Sequence, residues 1–258
     1  MLVFTPGFAT VSTVAVTYVS GSLEDDARLP EAYDKLSSVN GPQLALLKIE
    51  KKQWWKDMWT RSYVETNDSL LNRQYLSSIY LMASACNLHS PVCGGMYGVW
   101  NMNDSMNYHG DIHLNYNSQA GFYSVFSANR PELAMPYYDF LEKLIPEGKR
   151  RAREEMGLVH PSLKDKSCRG LLFSVSALGN GYLYGEYWQQ TMDAPFNVPL
   201  FSWYYEYTGD REFLRKRAYP FIRECGDFYE DYLEKETLDS TYRYNILTGG
   251  HEGSWDLN

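Results

Sequence analysis

A chain of 258 residues suits one large domain or two modest ones, and it can bury a substantial core. Hydrophobic residues make up 44% and charged residues 22%, the balance of an ordinary globular protein. The formal net charge of −8 argues against a nucleic-acid partner, and no run is long and apolar enough to span a membrane.

Residues 2–20 are rich in Val and Thr, and "VSTVAVTYV" alternates in the manner of a strand. This N-terminus lacks the charged and continuous apolar regions of a secretory signal. From about Gly41 onward the chain reads mostly as helix. Pro42 sits at a first helical position, and Leu44, Leu47, Trp54, Trp55 and Met58 recur at roughly helical spacing through Val64. Asn67 or Asp68 caps the next helix, in which Leu71, Tyr75, Ile79 and Met82 line one face.

A further helix is expected from near Asn117 to Asn129. One or two more follow from Pro131, broken at Pro146. Residues 194–210 and 210–236 complete the helical set. Between them lie loops rich in Gly, Pro, Asn and Ser at 88–111, 157–185 and 237–258, and loops of that length are uncommon unless functional. No fixed-period repeat is present. Cys86, Cys93, Cys168 and Cys225 lack CxxC spacing and read as buried or free thiols, with a disulfide left open.

The stretch "HGDIHLNYNSQAGFY" (109–123) carries the most chemistry. In an extended chain, residues two apart point the same way. His109, Asp111, His113, Asn115, Asn117 and Gln119 would then form a polar row, with Ile112, Leu114 and Tyr116 anchoring the other side. Aromatic residues, Trp100 among them, crowd the neighbourhood, and amides beside aromatic rings suit an array of sugar hydroxyls. An Asn carbonyl oxygen accepts a hydrogen bond from water and can orient it. A solvent-facing strand edge is the competing explanation, although such an edge more often carries Lys, Thr or Glu.

Two other patches offer site residues. In "TGGHEGSWDLN" Glu252 lies between His251 and Gly253, with Trp255 close behind. An apolar neighbour raises a carboxyl pKa by desolvation, which is what a general acid needs. "GEYWQQTMDAP" (185–195) places Trp188 beside the Gln189–Gln190 pair, able to stack on and bond a ring. Taken in isolation, each patch reads more readily as an ordinary loop. There is no P-loop, dinucleotide fingerprint or GxSxG elbow. The His109/His113 pair lacks a metalloprotease context, so no metal and no cofactor is expected.

Taken together, "QWWKDMWTRSYV", "LNRQYLSSIYLMASA", "YHGDIHLNYNSQAGFYSVFSANRPELAMPYYDFL" and "WYYEYTGDREFLRKRAYPFIRECGDFYEDYL" resemble the catalytic domain of glycoside hydrolase family 95, over roughly residues 45–258. The wider group is the six-hairpin glycosidases. The resemblance implies a mainly α fold: a partial (α/α)6 toroid from 41 to 258, a linker at 23–40 and a short β-sandwich remnant at 1–22. It implies hydrolysis of a terminal α-L-fucoside or α-L-galactoside with inversion.

By the same resemblance, Asn115 and Asn117 match the asparagines that help activate water, and His113 matches a sugar contact. Glu252 stands at the general acid. Asp111, Trp100, Trp188, Gln119 and His251 are the further substrate-binding candidates. The "GGHEGS" context of Glu252 departs from the Ser-Pro-rich motif usual before that glutamate, which leaves the substrate open. The family's catalytic aspartate is expected beyond Asn258, so the chain is expected to be part of an enzyme, about half of a barrel. The expected partner is an oligosaccharide or glycan. No compartment is fixed, though a secreted or periplasmic full-length protein fits the reading. A disaccharide phosphorylase-like enzyme of the same superfamily and a non-catalytic carbohydrate-binding fragment are the alternatives.

Overall fold

The structure is a computed structural model that describes residues 28–86, 88, 93–96, 98, 105–159, 161–185, 190–238 and 241–245. The strand-like segment 2–20 lies outside the described residues. Described residues are mainly helical, in agreement with the expected class. The chain divides into two compact units, Met1–Tyr63 and Val64–Asn258.

In the first unit, α1 (Arg28–Ser37) falls inside the segment expected as a linker. Next comes α2 (Gly41–Arg61), with Pro42 in its first turn. The Asn40 side chain caps it by accepting from the Gln43 N–H at 3.0 Å. Trp55 stacks on Trp59 four residues later, with ring centroids 5.7 Å apart.

The second unit opens with α3 (Ser69–Ala85). Asp68 is its cap, as the sequence suggests: Oδ1 accepts from the Leu70 and Leu71 N–H groups at 2.8 and 3.1 Å. The expected apolar face is only partly buried. Ile79 is in the core, but Leu71 is 59% exposed.

The centre of this unit is α5 (Met135–Glu154). It runs straight through Pro146, where a break was expected. Proline removes one intrahelical bond and disfavours a helix interior. Here its ring faces solvent, while Leu141, Leu144 and Gly148 on either side of it are buried. Packing of that face outweighs the local preference.

Tyr137, Tyr138 and Phe140 of α5 are fully buried, so much of the aromatic content serves the core. Tyr138 packs on Phe201 of α7 (Val198–Thr208), ring centroids 4.7 Å apart. Its hydroxyl donates to the Leu200 carbonyl at 2.7 Å, and the Tyr137 hydroxyl donates to Asn197 Oδ1 at 2.8 Å. These phenols satisfy their polar ends inside the core.

A short α6 (Met156–Val159) follows α5. Beyond α7 come α8 (Arg211–Phe213), a π-helical turn at Leu214–Ala218 and α9 (Tyr219–Tyr232). Phe221 of α9 stacks on Phe201 at 4.4 Å between centroids. Gly170, at φ 74°, passes so close to α9 that an added Cβ would lie 2.0 Å from the Glu224 carbonyl oxygen. No other residue fits that crossing.

The helix expected to reach residue 236 ends at Tyr232. An antiparallel hairpin of Glu234–Leu238 with Thr241–Asn245 follows instead, pairing Glu234 with Asn245 and Leu238 with Thr241. All four cysteines are free and buried. Burial, the largest influence, pushes the Cys225 thiol up to about 12, so it is a poor nucleophile at neutral pH.

Candidate active site

The segment that carries the polar row begins with a tight turn. Tyr108 and His109 both adopt left-handed backbone conformations, φ 51° and 54°. His109 is therefore outside the row and exposed. The chain then extends as β1 (Ile112–His113) and pairs antiparallel with β2 (Ser176–Ala177), placing His113 opposite Ser176. The Leu114 N–H continues the ladder to the Val175 carbonyl at 2.7 Å.

Alternation holds over this short stretch. Ile112 and Leu114 are buried on one side, and Asp111, His113 and Asn115 are buried on the other. A solvent-facing edge is thus ruled out for these three polar residues.

The row ends at Tyr116. Its backbone turns to φ 95°, ψ −40°, and α4 (Asn117–Ser127) starts at the next residue. Tyr116 is 51% exposed and does not anchor the core side as expected. In a helix, successive residues turn by about 100°, so Asn117 and Gln119 point in nearly opposite directions. Asn117 is exposed, while Gln119 is fully buried.

The Gln119 amide binds its own chain. Nε2 donates to the Leu114 carbonyl at 2.6 Å, and Oε1 accepts from the Tyr116 N–H at 3.1 Å. It is the brace of the turn that separates Asn115 from Asn117.

Asp111 and His113 are in contact. Asp111 Oδ1 lies 3.1 Å from His113 Nε2, and Ser176 Oγ lies 3.4 Å from the same nitrogen. The Tyr108 ring packs edge-on against the imidazole, centroids 5.2 Å apart. Behind them the Met96 N–H donates to the Asp111 carbonyl at 3.0 Å. A Cβ on Gly95 would sit 2.1 Å from the Gly110 carbonyl oxygen, so only glycine lets the two strands of chain approach.

Asn115 stands apart. Its Oδ1 is buried and has no hydrogen-bond partner among the described residues. A buried acceptor without a partner is rare and costly unless a ligand or water completes it. Gln190, from the second patch, is likewise buried with Oε1 unpartnered among the described residues. Asn117 and Ser118 line a cleft of about 420 Å3 between α3 and α4, walled also by Met82, Gly94, Gly98 and Phe122.

Trp100, Trp188, His251 and Glu252 lie outside the described residues. Two residues of this region escape a reading of the sequence. Ser176 is 63 positions from His113, in a stretch that reads as loop. Asp193 is a fully buried carboxylate in the same patch as Gln190, and its charge helps burial push the Tyr229 phenol up.

A buried carboxylate–imidazole pair, a buried amide oxygen without a partner among the described residues and an exposed asparagine across one turn suit recognition of hydroxyls and water. The chain matches the glycosyl hydrolase family 95 catalytic domain over residues 32–248, and it belongs to that family. It is 26% identical over 185 residues to alpha-L-fucosidase 2 of Arabidopsis thaliana. That match covers 68% of this chain and 20% of the relative, so it spans about a fifth of the relative's length.

Proposed function

We propose that the chain is part of the catalytic domain of a glycosidase that removes a terminal α-linked L-fucose or L-galactose with inversion. The observation that carries this reading is the buried Oδ1 of Asn115, without a hydrogen-bond partner among the described residues, on the same side of the strand as the Asp111–His113 pair. The family and the fucosidase relative support the reaction class. In this reading the described helices belong to the opening part of an (α/α)6 toroid.

Each side chain then has a chemical task. Asn115 and Asn117 accept hydrogen bonds from one water and aim it at the anomeric carbon. His113 contacts a sugar hydroxyl. Glu252 protonates the departing glycosidic oxygen from the opposite side of the ring. In an inverting enzyme the acid and the group that takes the water's proton stand roughly 6.5–9.5 Å apart, with the water between them. The family resemblance puts that second carboxylate downstream of Asn258.

The test is hydrolysis of an aryl α-L-fucoside by the full-length gene product, followed by NMR of the released sugar. Initial release of the β-anomer supports the reading. Retention of the α-configuration, or cleavage that requires phosphate, overturns it. Glu252→Gln is expected to slow substrates with poor leaving groups strongly and activated aryl glycosides much less, because the latter need little protonation.

A further inference from the structure

Both polar neighbours of His113 meet the same ring nitrogen, and they make opposite demands on it. Asp111 Oδ1 is 3.1 Å from Nε2, and Ser176 Oγ is 3.4 Å away. An ionised carboxylate offers only acceptors, so it requires a proton on Nε2. A serine hydroxyl can donate, and so would be satisfied by a bare lone pair there. The carboxylate is nearer, and a charge-assisted bond is roughly twice as strong as a neutral one. A lone pair facing Oδ1 inside a buried site would also leave the carboxylate without its donor.

We propose that Asp111 is a positioning residue: it accepts the Nε2 proton of His113 and leaves Nδ1 as a lone-pair acceptor for a glycan hydroxyl. Both of these polar contacts fall on Nε2, on the opposite side of the ring from Nδ1. The geometry is held from three sides. The β1–β2 ladder sets His113 opposite Ser176, the Tyr108 ring closes edge-on over the imidazole, and Met96 pins the Asp111 carbonyl. An imidazole fixed in this form reads its ligand. It takes a hydroxyl that can donate and refuses the same oxygen once methylated. The recognition half of this inference rests on the glycosidase reading, but the tautomer itself does not.

The experiment is a long-range 1H–15N correlation spectrum of the chain with 15N-labelled histidine, assigned by difference against His113→Asn. A pyrrole-like shift for Nε2 and a pyridine-like shift for Nδ1 are expected for His113. The reverse pattern in the parent protein overturns the proposal without recourse to any variant. Asp111→Ala is expected to convert the single pattern to an averaged mixture, whereas Ser176→Ala leaves it unchanged. If Asp111→Ala retains the parent pattern, Asp111 does not set the tautomer. L-Fucose is then titrated in, and movement of the Nδ1 shift supports the acceptor role. A spectrum with Nε2 protonated that does not respond to L-fucose upholds Asp111 as positioning residue and counts against the glycan reading.

Discussion

The Gln119 side chain donates to the Leu114 carbonyl at 2.6 Å, tying the first turn of α4 to the end of β1. Its oxygen holds the Tyr116 N–H at 3.1 Å. One amide thus fixes the loop on which Asn115 and Asn117 sit. Replacing it with Ala removes both partners at once. Each buried group left unsatisfied costs about 1–3 kcal/mol. Gln119→Ala is therefore expected to lower the denaturation midpoint clearly. In a full-length enzyme it is expected to reduce kcat as well, although Gln119 itself is fully buried. Gln119→Glu turns an ionised oxygen toward the Leu114 carbonyl in a fully buried site, so its midpoint is expected to fall at least as far as that of Gln119→Ala in urea titrations.

Tyr116 makes a second, sharper test. A tyrosine at φ 95° is strained by ~1–3 kcal/mol. At ordinary helix or strand positions Ala is more stable than Gly by ~0.5–1 kcal/mol. Here the order is expected to reverse. Both substitutions lose the edge-on contact with Tyr123, whose ring centroid is 6.1 Å away, but only Gly relieves the backbone. A thermal midpoint of Tyr116→Ala above that of Tyr116→Gly would show that the turn is not strained as described.

That turn also marks where the sequence stops being informative. The cap at Asp68 and the helices of α2, α3, α4 and α9 follow from spacing and capping chemistry. So does the alternation of Asp111, His113 and Asn115 on one side of the strand, because it is a local property, whereas their burial is visible only in the fold. The row does not continue to Asn117 and Gln119, because a tyrosine adopts a conformation that its own preferences oppose. Pro146 misleads for the converse reason: neighbours distant in sequence bury the helix on both sides of it. Ser176 has no local signal at all, since only the β1–β2 pairing brings it to His113.

Stability in acid should depend on Glu147. Its hydrogen bond to Arg150 is the largest influence that lowers its pKa to about 2, and a bond to Arg151 adds to it. Arg151 in turn donates to the carbonyls of Leu183 and Tyr184, so the pair ties α5 to the loop after β2. A depressed carboxylate contributes stability that is fully present above its unfolded pKa, 4.5, and lost as pH falls through about 2. The side chain is 34% exposed, so solvent screens the effect and keeps it modest. Glu147→Gln is expected to melt earlier than the parent at neutral pH, with the gap closing between pH 4.5 and about 2. A gap constant across that range would assign the loss to packing.

Asn115 allows stability and function to be separated. A side chain kept for folding should cost stability when removed. The Oδ1 of Asn115 is buried without a partner among the described residues, so it depends on a water or ligand for a hydrogen bond whose loss costs about 1–3 kcal/mol. Asn115→Leu keeps the branched shape and removes the oxygen that has to be satisfied. The variant is expected to melt at or above the parent temperature. In the full-length enzyme it is expected to lose about 10²-fold or more in kcat, the scale of a positioned proton-transfer group. Because the water must be held whatever the leaving group, the loss should be equal for aryl fucosides and natural glycans. That separates it from the leaving-group dependence expected of Glu252→Gln. A variant that melts well below the parent would make Asn115 a structural residue, and Asn117 would then carry the water-positioning role alone.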